Sequence, residues 1–263
     1  MKKKLLGLVI AGLLVLAGVI ILNYWPASKR DERVLKIGMM SGWAPFMTLN
    51  AQGQYEGFDI DVAQALAQKM GKRLEIVDFG SLAPLFLALE QGAIDAAMSG
   101  LDITHERLQK VAMVPYVGSG FDRFYLLFWQ QVPRDVRTLE DLTKRKAIIA
   151  VEPGSASQTF LKQYPEIEPK LLSGVSDMIM DVQYGRSLAA IVEPLVARRL
   201  QKQTPELTSL AIPLPPTFCV YGTGIAVRKD RRALTQAIQQ TIDALKRDAT
   251  ITRLAKRWGI EDV

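Results

Sequence analysis

Hydrophobic and polar positions along the chain follow patterns typical of short strands and amphipathic helices. Residues 34–40 predict a strand that ends in a loop. From Phe58 to Met70 an apolar side chain recurs at every fourth position, which predicts a helix with one buried face. Residues 73–79 and 94–98 predict two more strands, with a helix from Leu82 to Leu89 between them. This strand and helix order predicts a parallel sheet with crossover helices.

The same pattern starts again in the second half of the chain. Strands are predicted there at 124–129, 147–151, 188–192 and 207–212. Helices are predicted at 155–164, 176–185, 194–203, 231–247 and 249–258. The fold class is therefore α/β.

Two extended segments, near 115–121 and 213–223, are expected to carry the chain between two α/β lobes and to act as a hinge. We predict that lobe 1 comprises residues 34–117 and 220–263, and that lobe 2 comprises residues 118–219. Ligands of such folds bind at the carboxyl ends of strands, so we expect a ligand cleft between the lobes.

The N-terminal segment, residues 1–28, predicts a signal sequence or membrane anchor. Three lysines, Lys2 to Lys4, precede an unbroken apolar run from Leu5 to Leu22, which is the order that an export signal requires. As a helix this run would extend roughly 27 Å, close to the hydrocarbon thickness of a bilayer. We favour an uncleaved anchor over a signal cleaved after Ser28. Both place the rest of the chain in the periplasm or another extracytoplasmic space.

Composition excludes several classes of function. The chain is 49% hydrophobic and 23% charged, which is ordinary globular usage. Its one cysteine, Cys219, and one histidine, His105, make a disulfide framework, a metal centre or a Ser/His/Asp hydrolase improbable. The net charge of +6 includes the three N-terminal lysines, so nucleic acid is not an expected partner. We expect no cofactor and no metal.

The segment after the third predicted strand carries candidate binding residues in lobe 1. Gly100 lets the backbone approach a ligand, and Asp102 and Thr104 are suited to cap the following helix. Arg107 lies one turn into that helix, where its guanidinium could offer a forked donor pair to a carboxylate. On spacing alone, a solvated arginine beside a capping threonine remains the favoured interpretation.

Lobe 2 offers two candidate groups. Backbone N–H groups at Gly154, Ser155 and Ala156 open a predicted helix and could bind an anion. Glu193 ends an apolar strand and could face a cation across the cleft. Taken singly, an ordinary helix cap and a solvated glutamate explain them as well.

Taken together, these residues complement a zwitterionic amino acid. An arginine and a helix N-terminus suit its carboxylate, and Asp102 and Glu193 suit its ammonium group. Trp43, after the first strand, could cover an aliphatic or guanidinium side chain, whereas Phe46 is interpreted as packing. Residues 57–61 (GFDID) are interpreted mainly as a helix start.

Five motifs resemble one known family, and the resemblance extends from about residue 34 to 260. They are residues 37–46, 57–61, 99–107, 154–155 and 184–193. The family is that of the polar amino acid-binding proteins of ABC importers, bacterial solute-binding family 3. Its fold is the two-lobed type II periplasmic-binding fold with a ligand cleft at a two-segment hinge.

The resemblance implies a role for each matching residue. Arg107 would hold the ligand α-carboxylate with the N–H groups of Asp102 and Ala156, beside Ser155. Glu193 would hold the α-ammonium with Gly100 and Asp102. The side-chain slot would be formed by Trp43, Leu82 and Glu152. Leu82 stands near a position where relatives place an aromatic ring, and Met40 stands where several binders of basic amino acids have an acid.

The predicted ligand is a basic amino acid. With Asp102, Glu152 and Glu193 converging, the cleft would be acidic, which favours L-arginine, followed by lysine, ornithine or histidine. The chain is then expected to be a monomer that closes on its ligand, performs no chemistry and docks on an ABC permease in the inner membrane. Two alternatives stay open: a small dehydratase of the same fold that acts on prephenate-like acids, and a membrane-tethered amino acid sensor.

Overall fold

The computed structural model of the 263-residue chain describes residues 31–118 and 120–260. The predicted signal or anchor, residues 1–28, lies outside this part. Within the described part, no helix combines the length and apolar character that crossing a membrane requires.

Strands of the described chain form two five-stranded sheets and one short hairpin. They are β1 Val34–Met39, β2 Thr48–Leu49, β3 Tyr55–Glu56, β4 Arg73–Asp78, β5 Ala96–Ala97, β6 Ala112–Val117, β7 Arg123–Trp129, β8 Ile148–Val151, β9 Glu168–Leu171, β10 Ala189–Val192, β11 Leu207–Pro213 and β12 Thr223–Val227. The sheet orders are β4-β1-β5-β12-β6 and β11-β7-β10-β8-β9, and β2 pairs with β3.

Helices pack on these sheets, and most of them bury side chains on one face. They are α1 Phe58–Lys69, α2 Leu82–Glu90, α3 His105–Lys110, α4 Leu139–Lys144, α5 Ala156–Leu161, α6 Val175–Gln183, α7 Pro194–Gln203, α8 Arg232–Arg247 and α9 Thr250–Trp258, with a 3₁₀ turn at Pro216–Phe218. In α1 the apolar positions Phe58, Val62 and Leu66 are fully buried, as the four-residue spacing predicts.

The first sheet is mixed rather than parallel throughout. β1 and β5 are parallel, with Ile37 beside Ala96, which agrees with the predicted crossover connection. β12 returns from the far end of the chain and runs antiparallel to both β5 and β6. Local pattern predicts a strand but not its partner, so the sequence could not show this insertion.

The second sheet combines both strand directions. β8 runs parallel to β10 and β9, whereas β7 is antiparallel to β10 and β11. β7 and β10 are buried through most of their length, and Phe124, Leu126 and Phe128 of β7 face a core of their own. Each sheet with its helices therefore forms one lobe, which is the two-lobed α/β fold predicted above.

Two crossing segments join the lobes side by side. Phe121 and Val220 form an isolated antiparallel bridge, with N–H to carbonyl distances of 3.0 and 3.1 Å. Gly120 next to the bridge has φ +90°, and a Cβ there would lie 2.1 Å from the Val220 carbonyl oxygen. The close pairing of the two segments therefore requires glycine at this point.

Candidate functional site

A small cavity lies between the lobes at the crossing segments. Its volume is about 40 Å³, room for only about three waters. It is lined from the first lobe by Trp43, Phe46, Gly100, Asp102, Val117, Gly222, Thr223 and Ile260, from the crossing by Gly118, Gly120 and Phe121, and from the second lobe by Glu193, Pro194, Leu195 and Val196. An amino acid can therefore enter only if the lobes separate.

The loop that carries Gly100 is held from behind by a buried carboxylate. Asp59, at the start of α1, accepts hydrogen bonds from the Gly100 N–H at 2.7 Å and from the Tyr116 hydroxyl at 2.5 Å. Gly100 has φ +60°, and a Cβ there would lie 2.6 Å from the Phe46 ring. The motif at 57–61 therefore does more than begin a helix: Asp59 positions the loop that carries Gly100.

Arg107 folds back over the same loop, whereas its spacing alone favoured a solvated arginine. Thr104 caps α3 by accepting a hydrogen bond from the Arg107 N–H at 3.2 Å. The guanidinium donates to the carbonyl of Asp102 at 2.9 Å and reaches the carbonyl of Gly154, in the second lobe, at 3.4 Å. It also lies 5.4 Å from the centre of the Phe86 ring. Arg107 thus stands at the junction of the lobes, where it lines the outer groove.

The second-lobe helix start differs from the expected anion site. The Gly154 N–H donates to the Gln158 side chain at 2.7 Å, and the Ser155 N–H bonds to the Glu152 carbonyl at 3.3 Å. The Ser155 hydroxyl is also engaged, with the same carbonyl at 2.7 Å. Two of the three N–H groups expected to be free therefore have partners: the Gln158 side chain accepts from Gly154, and the Glu152 carbonyl accepts from Ser155. Ala156 lines a groove outside the cavity.

Three acidic side chains converge on Arg107. Asp102 and Glu152 are 7% and 5% exposed. Burial raises the pKa of Asp102 to about 6, although Arg107 opposes the shift. Burial and the charge of Asp102 raise the pKa of Glu193 to about 8. Burial and the charge of Glu193 raise the pKa of Glu152 well above its ordinary value. Arg107 opposes all three shifts without cancelling them, so a cation bound beside these acids would favour their ionised forms.

Two carboxylate oxygens in this cluster have no hydrogen-bond partner. They are Glu152 Oε1 and Glu193 Oε2, both shielded from solvent. In the described chain the only other buried side-chain atom of this kind is Thr208 Oγ1. Buried polar atoms are normally paired, so these two indicate where a cationic ligand could donate hydrogen bonds.

The raised pKa values give a testable pH dependence. A carboxyl whose pKa is higher in the folded protein binds more protons there than in the unfolded chain, so the free energy of unfolding falls as pH rises through the window between the two values. Burial raises the pKa of Asp59 to about 7, so Asp59 changes the free energy of unfolding with pH in the same direction as Asp102 and Glu193.

We therefore expect the protein without added ligand to be more stable at pH 5 than at pH 8, by on the order of a few kcal/mol. Chemical denaturation at each pH measures this difference. Asp59→Asn should reduce the slope between pH 5 and 7. A free energy of unfolding that rises over this range would contradict the expectation.

The two predicted walls of the side-chain slot lie in different spaces. Trp43 is 5% exposed and lines the cavity. Leu82, at the start of α2, is also buried but lines the outer groove, where a Cβ on Gly154 would lie 3.3 Å from its own Cβ. The structure therefore does not place Leu82 opposite Trp43.

The outer groove is larger than the cavity and crosses from lobe to lobe. It has a volume of about 970 Å³ and contains Arg107 together with parts of α2, α3 and α5. Thr159 in α5 donates to Glu106 in α3 at 3.3 Å across it. This contact, with the one from Arg107 to Gly154, joins the lobes at the mouth of the cleft.

Most residues that line the cavity lie outside the sequence prediction, and Phe46, Phe121 and Thr223 are three of them. Phe46 is buried in the core, as interpreted, yet its ring also covers Gly100 and lines the cavity. Its position three residues after Trp43 was a usable signal. Phe121 and Thr223 reach the cavity through the crossing segments. No periodicity marks such residues, because they belong to neither a helix nor a strand centre.

Two lobes that meet at a cavity beside a double crossing define the class of two-lobed solute-binding proteins. The chain belongs to the bacterial extracellular solute-binding proteins, family 3, whose sequence pattern matches residues 35–261. No group of three or more His, Cys, Asp or Glu residues among those the structure describes is arranged to hold a metal ion.

Known proteins resemble this chain over most of its length. The probable ABC transporter arginine-binding protein of Chlamydia trachomatis is 30% identical over 226 residues, 86% of each chain. A solved arginine-specific periplasmic binding protein of Salmonella typhimurium has a TM-score of 0.76 at 25% identity, covering 86% of this chain and 99% of its own. An ancestral amino acid-binding protein, described as a precursor of cyclohexadienyl dehydratase, has a TM-score of 0.74 at 27% identity, covering 86% and 95%.

Proposed function

We propose that this protein is the substrate-binding component of an amino acid ABC importer and that it binds a basic amino acid, L-arginine before lysine, ornithine or histidine. The observation that carries the proposal is the convergence of Asp102, Glu152 and Glu193 around one arginine, with two buried carboxylate oxygens unpaired. Arginine brings two cationic groups and one carboxylate, so it can satisfy both signs of charge. Relatives named as arginine-binding proteins support the same ligand.

In this proposal the head group is bound from both lobes. Arg107 binds the α-carboxylate with the N–H groups of Asp102 and Ala156, beside Ser155, and Glu193 binds the α-ammonium with Gly100 and the side chain of Asp102. Trp43 covers the side chain of the bound amino acid, and Leu82 lies at the outer end of that side chain. A ligand that contacts Arg107 and Glu193 together stabilises the closed arrangement, because it makes both contacts only there.

The setting of the protein belongs to the same proposal. Lobe 1 comprises residues 34–117 and 220–263, and lobe 2 comprises residues 118–219. The protein acts as a monomer outside the inner membrane, tethered by or cleaved from its N-terminal segment, and the closed form docks on a membrane permease. Capture by a permease rather than by a sensor kinase would distinguish transport from the alternative of a tethered sensor.

Ligand identity is tested by thermal stability in the presence of each of the twenty amino acids and ornithine. We expect the largest rise in melting temperature with L-arginine. At one hundred times Kd the ligand adds about 2.7 kcal/mol, which corresponds to roughly 5–10 °C for a chain of this size. Calorimetry then gives the affinity. A larger rise with a neutral or acidic amino acid would contradict the choice of a basic ligand.

A dehydratase acting on a prephenate-like acid is the second candidate. It is favoured by the likeness to the ancestral precursor of cyclohexadienyl dehydratase and by Glu193, whose pKa of about 8 keeps a proton available at neutral pH. We propose that the chain is not an enzyme, since the same glutamate has a binding role. Incubation with prephenate should therefore give no aromatic product, and a time-dependent product would favour the enzyme.

A further inference from the structure

The carboxylate of Asp59 lies directly behind the part of the cavity wall that Gly100 forms. Asp59 is fully buried, and each of its oxygens accepts one hydrogen bond, Oδ2 from the Gly100 N–H at 2.7 Å and Oδ1 from the Tyr116 hydroxyl at 2.5 Å. Gly100 lines the cavity itself, whereas Asp59 does not. The backbone of one residue therefore separates this carboxylate from the space between the lobes.

The hydrogen bonds of Asp59 do not by themselves require a charged side chain. Next to Gly100, the loop is already fixed by Ser99, whose hydroxyl donates to the Met40 carbonyl at 3.0 Å and accepts from the Met40 N–H at 3.2 Å. Asp59→Asn would keep the size of the side chain, since the amide could accept from Gly100 and donate to the Tyr116 oxygen. Burying an ionisable carboxyl group instead is costly, which points to a use for its charge.

The charge of Asp59 is balanced close to neutral pH. Burial raises the pKa of Asp59 to about 7, although the hydrogen bonds from Tyr116 and Gly100 oppose the shift. Burial and the charge of Asp59 raise the pKa of Tyr116 well above its ordinary value, so its hydroxyl stays a donor. A positive charge placed close to Asp59 would therefore favour its ionised form.

No cation of the described chain supplies that positive charge. α1 packs on β3, β4, α8 and α9, and among residues 31–118 and 120–260 the charged side chains of these elements form no ion pair or hydrogen bond with Asp59. Asp61, two residues further along α1, takes Arg257 of α9 at 3.2 Å. Asp102, on the loop that Asp59 holds, faces Arg107.

We propose that Asp59 positions and attracts the α-ammonium group of the bound amino acid through the Gly100 backbone, and that Tyr116 supports it by stabilising the ionised carboxylate. The inference rests on the proposed function, in which Gly100 helps to bind that ammonium group. As the ammonium arrives, the Asp59 carboxyl group loses its proton to the solvent. The attraction acts through a low-dielectric interior, so it changes affinity although the two groups do not touch.

The α-hydroxy analogue of arginine is the matched probe, because a neutral hydroxyl replaces the ammonium group that Asp59 would attract. At pH 8, Asp59→Asn is expected to lower the affinity for arginine about 10-fold and to leave the affinity for the analogue unchanged. Asp61→Asn is the matched control, since it removes a carboxylate from the same turn of α1 that pairs with Arg257 instead. It should leave the ratio of the two affinities unchanged. Calorimetry measures each affinity.

The pH profile separates an effect of charge from a merely structural one. At pH 5, below the pKa of about 7, Asp59 is protonated in the wild type, so the loss of arginine affinity in Asp59→Asn should be small there and should grow as pH rises to 8. Tyr116→Phe removes the hydroxyl that stabilises the ionised form, so the rise in arginine affinity that accompanies ionisation of Asp59 should move to higher pH. This second variant tests the proposal if Asp59→Asn fails to fold.

Two failures are distinguishable. Wild-type protein that does not bind arginine would overturn the proposed function and this inference with it. Wild-type protein that binds arginine, while Asp59→Asn loses no affinity or loses the same factor for both ligands or at both pH values, would overturn only the role of Asp59. An unchanged pH profile in Tyr116→Phe would do the same.

Discussion

Replacement of Arg107 by alanine is expected to abolish tight binding of L-arginine. Removing one partner of a buried, hydrogen-bonded charge pair costs about 2–5 kcal/mol, a loss of affinity of roughly 30-fold to several thousand-fold. The loss has a second source, since Arg107 opposes the rise in the pKa of Asp102 and of Glu193. Without it both acids hold their protons more tightly, and the ligand ammonium meets less negative charge.

Two matched variants complete this experiment. Arg107→Lys keeps the positive charge but loses the forked donor pair, so its affinity should fall between those of the wild type and Arg107→Ala. Arg145→Ala removes an arginine that pairs with Asp135 at the exposed surface of the second lobe, and it should bind arginine normally. Calorimetry measures all three. Micromolar or better affinity in Arg107→Ala would remove the assignment of this residue.

Replacement of Gly120 by alanine is expected to damage both stability and binding. The new Cβ would lie 2.1 Å from the Val220 carbonyl oxygen, at a backbone φ of +90°. The left-handed conformation costs about 1–2 kcal/mol for a residue with a Cβ, and the two bridge hydrogen bonds between Phe121 and Val220 add about 1 kcal/mol each when lost. The melting temperature should fall by roughly 6–16 °C.

Gly53→Ala provides the matched control for the hinge. Gly53 also has a positive φ, +73°, but a Cβ there would meet no atom within 4 Å. Gly53→Ala should therefore be destabilised only by the unfavourable backbone conformation, and it should keep its affinity for arginine. Gly120→Ala should bind arginine more weakly, because the crossing segments border the cavity that closes on the ligand. Equal affinities for arginine in Gly120→Ala and Gly53→Ala would mean that the crossing segments can move apart at Gly120 without weakening ligand binding.

Much of the fold was accessible from local pattern. The predicted strand at 34–40 is β1, and the predicted helices at 58–70 and 194–203 agree with α1 and α7 within a residue. The short elements were missed or misjudged: α4 was not predicted, and the helix predicted at 155–164 ends at Leu161. A six-residue helix shows less than two turns of periodicity, so tertiary contacts determine its limits.

The candidate site, like the fold, was predictable from the sequence only in part. Residue types and spacing indicated Asp102, Arg107 and Glu193, and these are the residues that act on one another across the cleft. Spacing could not indicate that Gln158 takes the Gly154 N–H, since this depends on a side-chain conformation. Nor could it show that Asp59 holds the Gly100 loop, because 41 positions separate them.

The sequence by itself determined the α/β class, the two-part organisation and the residue types that match an amino acid head group, because periodicity and strand-end position are local properties. Only the tertiary structure decided that β12 enters the first sheet, that Leu82 faces a groove rather than Trp43, and that Glu152 is buried without a partner. Burial, desolvation and pairing arise from segments distant in the chain, and they raise the pKa of the three acids Asp102, Glu152 and Glu193.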